Sequence, residues 1–244
     1  MTRKRETRRV FGGRGCMKRT VIILALAAGS AQAAPFAVPQ GCQAYLTVQT
    51  RACTVSHHWT CAADNPGDKY HAELGQEGLI YIGKVDHEAQ WIDSYFARSD
   101  SHESLITPAL DPQSLTTLLA EGADSYDFTI QTPGGVRRVR GYDTIAERGL
   151  VIDGEELART EYEIEITDPD GSVTYSSTGS EYVSETHRRF FSGYGAVTTP
   201  GNPYDYDHRP VEFVRPGETG FLDAEPKYGC NVVTARFGVE AGDE

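Results

Sequence analysis

Thr160-Glu161-Tyr162-Glu163-Ile164-Glu165-Ile166-Thr167 alternates without a break, with Tyr162, Ile164 and Ile166 on one face and three glutamates on the other. A side-chain period of two marks a half-buried strand in an antiparallel sheet. Asp168-Pro169-Asp170-Gly171 follows. Pro169 presets φ, Asp168 can bond back to the backbone, and Gly171 tolerates the left-handed region, so these four residues read as a turn. Ser172 to Ser177 then alternates again through Val173 and Tyr175. The stretch predicts a hairpin.

The same grammar recurs on either side. Tyr126 to Thr132 and Val136 to Tyr142 flank Pro133-Gly134-Gly135, and Leu79 to Val85 and Gln90 to Phe96 flank Asp86-His87-Glu88. Glu181 to Phe191 reads as a further extended run, stopping at Ser192-Gly193, and Ala44 to Val48 and Cys53 to Cys61 as two more. One helix is expected, with Asp111 as N-cap, Pro112 in the first helical position, Leu115, Leu118 and Leu119 as its apolar stripe, and Gly122 at its end. After Tyr194, prolines and glycines predict an irregular segment over the surface, with one short strand at Val211–Val214. The expected fold is mainly β (α+β): a curved antiparallel meander or half-barrel with one or two short helices, stapled by disulfides. In plan it resembles half-barrel carriers of lipophilic molecules, an analogy of architecture that licenses no function.

Met17 to Ala33 reads as a secretory signal peptide. Lys18 and Arg19 form its positive region, Val21 to Ala28 its apolar region, and Ala31-Gln32-Ala33 a small-residue cleavage site. Residues 1–33 are therefore read as an N-terminal extension plus leader starting at Met17 and cleaved after Ala33. Residues 34–230 are read as a single β-rich domain, and 231–244 as an acidic tail. Thr7-Arg8-Arg9-Val10-Phe11 looks like a twin-arginine motif, but lies far from the apolar run. The apolar run is shorter than the roughly 20 residues a membrane span needs, so no integral membrane segment is expected after processing. The expected location is periplasmic or extracellular.

Residues 1–33 hold eight of the 23 Lys/Arg and one of the 35 Asp/Glu. The remainder carries 15 basic against 34 acidic side chains, a formal −19. Such a surface repels phosphate backbones and anionic headgroups, which argues against nucleic acid as a partner. Cys42, Cys53, Cys61 and Cys230 remain, an even number that in an exported chain predicts two disulfides. The favoured arrangement has one bridge within the N-terminal cluster and one tying Cys230 back to it.

Chemistry-bearing motifs are sparse. Cys53-Thr54-Val55-Ser56-His57-His58-Trp59-Thr60-Cys61 is dense in soft-metal ligands, but His57 and His58 on a strand point to opposite faces. A disulfide-stapled hairpin is the preferred reading there, and no metal or cofactor is expected. No Gly-x-Ser-x-Gly elbow or Ser-x-x-Lys appears, and no cysteine is left free for covalent chemistry. Arg138 and Arg140 share a strand face and are read either as cross-strand partners of Glu161, Glu163 or Glu165, or as an anion-recognising patch. Arg188-Arg189 forms a smaller basic pair. Tyr162 and Tyr175, among many strand aromatics, are candidates to line a concave ligand face.

The leading functional expectation is a non-enzymatic module of the cell envelope that binds a small molecule or an envelope protein. The first alternative is a hydrolase-like enzyme with scattered residues such as His58, His187 and His208. The second is metal binding.

Overall fold

The structure, a computed structural model, describes residues 36–230. The expected leader at 1–33 and the expected acidic tail at 231–244 lie outside them.

Cys42–Thr50 (β1), Val55–Cys61 (β2), Lys69–Gly75 (β3), Gly78–Val85 (β4), Trp91–Phe96 (β5) and Ser101–Asp111 (β6) precede a short helix, Leu115–Glu121 (α1). Ala123–Thr132 (β7), Gly135–Ile152 (β8), Glu155–Thr167 (β9), Val173–Ser184 (β10) and Arg189–Val197 (β11) follow, then Tyr204–Asp207 (β12) and Pro210–Val214 (β13). Each of β1 to β12 pairs antiparallel with its neighbour in sequence, and β13 adds to the free edge of β1. Among the described residues the expected curved meander is thus a single 13-stranded open sheet with one short helix. Among the described residues no helix is long and apolar enough to cross a membrane.

β12 and β13 are the two edges of this sheet, yet only His208 and Arg209 separate them in the chain. The His208 N–H donates to the Gly193 carbonyl on β11 at 2.7 Å, and the Arg209 carbonyl accepts from the Arg51 N–H, just past β1, at 3.0 Å. A two-residue link therefore bridges both ends of the sheet, which must curl round an interior to let it. The long β8–β9 hairpin leans across the same region. Asp153 in its turn accepts from the Phe213 N–H at 2.8 Å, and Leu157 joins a buried cluster with Leu46, Val48, Phe191 and Phe213.

Two further apolar clusters fill the interior. Phe128, Ile130, Val139 and Ile164 pack with Tyr126, and Leu115 and Leu118 of α1 pack on Ala89 and Val183. Another core covers the outer side of β2 and β3, where Val55, Trp59, Ala72 and Leu74 lie beneath Phe36 and the segment containing Phe221, Leu222 and Ala224.

The helix starts later than expected. Ser114, not Asp111, is the N-cap; its hydroxyl accepts the Thr117 N–H at 3.1 Å, while Asp111 ends β6. Tertiary partners select this start, because Asp124 takes the Ser114 N–H at 2.8 Å and Glu88 the Thr116 N–H at 2.7 Å. Gly122, at φ 84°, ends the helix as expected. The Glu181–Phe191 run is divided by a turn into β10 and β11, with Arg188 at φ 45°.

The disulfides join Cys42 to Cys61 and Cys53 to Cys230. One lies within the N-terminal cluster and one ties Cys230 back to it. The stapled hairpin expected across Cys53–Cys61 does not form. Cys42 and Cys61 face each other in the β1–β2 register, whereas Cys53 lies in the connecting turn beside the C-terminal segment, its N–H donating to the Tyr228 carbonyl at 2.9 Å.

Candidate functional site

Strand alternation decides which side chains look inward. On β2, Ser56 and His58 face the interior while Val55, His57 and Trp59 face the outer core; on β3, His71 and Glu73 face inward while Ala72 and Leu74 do not. The inward side chains of β1 to β5 and β7 to β11 line a partly open cavity of about 260 Å³.

One wall is cationic and aromatic. Arg189, at the start of β11, is 4% exposed and lines the cavity. Its Nε donates to the Phe190 carbonyl at 3.3 Å and its Nη1 to the Tyr45 hydroxyl at 3.4 Å. Its guanidinium carbon lies 5.8 Å from the centre of the Phe191 ring. The His58 and His71 rings stack at 5.7 Å, and His58 meets Phe191 edge-on at 5.5 Å. The Ser56 hydroxyl hydrogen-bonds His58 Nε2 at 2.9 Å. Burial holds both imidazoles well below their ordinary pKa, and the Arg189 charge adds to it, so both are neutral at physiological pH. Burial likewise pushes the Glu73 carboxyl up, against the opposing pull of Arg189.

The other wall is acidic. Asp143 on β8 and Glu181 on β10 both line the cavity, and burial pushes both carboxyls well above the usual range. The charge of Asp124 adds to the shift at Asp143, and that of Asp143 to the shift at Glu181. Tyrosines fill the space between. The Tyr162 hydroxyl bonds Ser177 at 2.8 Å and also meets the hydroxyl of Tyr206 from β12. Gly179 and Gly195 make room for Tyr206, since a Cβ on either would lie 3.1 or 2.8 Å from that oxygen.

Four buried polar atoms on the cavity-lining residues lack a partner: His58 Nδ1, His71 Nδ1, Gln113 Oε1 and Asp143 Oδ1. Buried polar atoms are seldom left unsatisfied in native proteins, so four on the residues round one cavity single it out as the candidate site.

The four ligand candidates read from sequence divide between the two faces. Tyr162 and Tyr175 line the cavity. Arg138 and Arg140 are exposed on the outer face, Arg138 paired with Asp127 and Arg140 with Glu165 at 3.1 Å. Arg140 thus meets one of the expected cross-strand glutamates, whereas Arg138 pairs with Asp127 rather than Glu161, Glu163 or Glu165, and neither lines the cavity. His57 points away from His58: it stacks on Phe36 at 4.7 Å and hydrogen-bonds the Thr47 hydroxyl at 3.0 Å. Among the described residues no group of three His, Cys, Asp or Glu converges as metal ligands would.

Of the scattered histidines considered for hydrolysis, His58 and His208 line the cavity; His187 instead meets Glu155 at 3.5 Å under the β8–β9 hairpin. The inward Ser56, Glu73, Asp143 and Glu181 were not singled out from sequence. Their only signal was a polar residue at every second position of a strand, which equally describes a solvent face.

The chain matches no protein-family model, no curated protein and no solved structure.

Proposed function

We propose that this chain is an exported, non-enzymatic binding module of the cell envelope, working in the periplasm or outside the cell, which holds a small molecule inside its curled sheet. The observation that carries this reading is the 260 Å³ cavity with four orphaned polar atoms on its lining residues. Two disulfides fit an oxidising compartment outside the cytosol. An engineered cavity of about 150 Å³ admits benzene, so this one suits a ligand of one ring plus a few polar atoms. The titratable groups on its walls fit a polar occupant better than the wholly lipophilic cargo that a bare half-barrel plan brings to mind.

Purification from the native compartment followed by non-denaturing mass spectrometry tests the reading. The expected result is an added mass, lost on denaturation, on a chain whose N-terminus is Ala34. A ligand-free chain that also binds nothing in a small-molecule screen would sink it.

Hydrolysis is a second reading, favoured by the Ser56–His58 pair on the cavity wall, which places a hydroxyl on a neutral imidazole. Against it, among the described residues no carboxylate orients His58, whose Nδ1 has no partner there. Labelling of Ser56 by a fluorophosphonate, with turnover of a simple aryl ester lost in Ser56→Ala, would establish it.

A further inference from the structure

We infer that the occupant of the cavity is a small monocarboxylate with a flat or short apolar body, and that Arg189 is the residue that anchors its carboxylate. The inference rests on the binding reading above and narrows its ligand.

The first support is the state of Arg189 itself. A guanidinium carries five N–H donors and stays charged at all relevant pH. Taking such a charge out of water costs several kcal/mol unless a counter-charge and hydrogen bonds compensate. Arg189 is 4% exposed, yet among the described residues the only hydrogen-bond partners of its guanidinium are a carbonyl and a phenol at 3.3 and 3.4 Å. Among the described residues no carboxylate lies within 4.0 Å of it. Three of its N–H groups are therefore left without a partner among the described residues. A planar carboxylate matches that fork with two parallel hydrogen bonds.

The second support is what surrounds it. His58 and His71 line the same cavity with Nδ1 unpartnered on each. Phe190 and Phe191 supply apolar wall beside the cation. Among the described residues Arg189 is the only Lys or Arg that lines the cavity, so a single negative charge is what the site can offset in a ligand.

Benzoate and its neutral isostere benzamide, titrated calorimetrically into the full chain, are the probes. Benzoate is expected to bind saturably and benzamide to bind much more weakly. Arg189→Gln should weaken benzoate about 10- to 100-fold, the range for losing a charged hydrogen bond. The benzoate–benzamide comparison uses the parent chain, so it decides the matter even if the arginine variant does not fold. Benzamide binding as tightly as benzoate would overturn the carboxylate inference and leave a neutral-ligand cavity standing. Absence of saturable binding for benzoate, hexanoate and benzamide at millimolar concentration would overturn the inference and the binding reading together.

Discussion

Glu181 and Asp143 are held neutral by the company they keep. Each lines the cavity, each is pushed upward by burial, and ionising one makes ionising the other harder. In the unfolded chain both titrate near the ordinary carboxylate value of about 4. The folded state therefore binds more protons than the unfolded state above that value, and stability falls as pH rises toward the raised folded pKa. Glu181→Gln keeps the shape and removes the titration. We expect its melting temperature to exceed that of the parent chain at pH 8 and to approach it at pH 5, as followed by thermal denaturation across that range. An equal offset at both values would mean that Glu181 is not buried as an acid. At the same scale Gly229 is irreplaceable for steric reasons. It has φ 76°, and a Cβ there would lie 1.8 Å from the Arg51 carbonyl oxygen. Gly229→Ala must displace the chain beside the Cys53–Cys230 bridge, and a loss of about 2 kcal/mol or more in urea denaturation is expected.

Between residue and fold stands the C-terminal segment, which has little regular structure and is fixed by side chains from β1. Gln49, fully buried, donates its amide to the Glu225 carbonyl at 3.1 Å and accepts the Lys227 N–H at 2.9 Å. Thr47 accepts the Leu222 N–H at 3.0 Å, and the bridge to Cys230 closes a separation of 177 residues. Gln49→Ala strands two backbone groups, and at about 1–2 kcal/mol each it should cost about 2–4 kcal/mol of unfolding free energy. Reduction of Cys53–Cys230 removes a constraint worth about 5 kcal/mol in the chain-entropy model. Cys230→Ser should therefore lower stability more than Gln49→Ala, and near-parental stability in both would show the segment to be a passive wrap. Elements with one dry and one wet face were legible in the sequence: β9 alternates because Tyr162, Ile164 and Ile166 look inward past exposed glutamates. β3 was not legible, since Tyr70 and Ala72 face the outer core while His71 and Glu73 face a polar cavity, which leaves no clean hydrophobic period. The candidate site was hidden by the same fact. Arg189 and Arg188 adjoin in sequence, yet one enters the cavity and the other pairs with Glu88 on α1's flank at 3.2 Å.

At the scale of the whole molecule, the interior sets two opposing responses to pH. Burial lowers the pKa of His57, His58, His71, His187 and His208. Below the ordinary histidine value of about 6.5 the unfolded chain gains protons on these side chains that the folded chain refuses, so stability falls as pH falls. His57 alone, pushed down to about 4 beneath Phe36, accounts for about 3 kcal/mol once pH drops below that value. Asp143 and Glu181 work the other way, binding protons in the folded state well into the neutral range. From pH 4 to 6 the five histidines outnumber the three raised acids that line the cavity, Glu73, Asp143 and Glu181, and stability should rise with pH. Above about 6.5 the histidines are neutral in both states, only the acids remain, and stability should decline. The melting temperature is therefore expected to peak near neutrality. The alkaline limb of that curve should flatten in the Asp143→Asn, Glu181→Gln double variant, while the acid limb stays. A curve that keeps rising from pH 7 to 9 in the parent chain would show that the acidic wall is ionised and solvated, and that the cavity is wetter than its geometry implies.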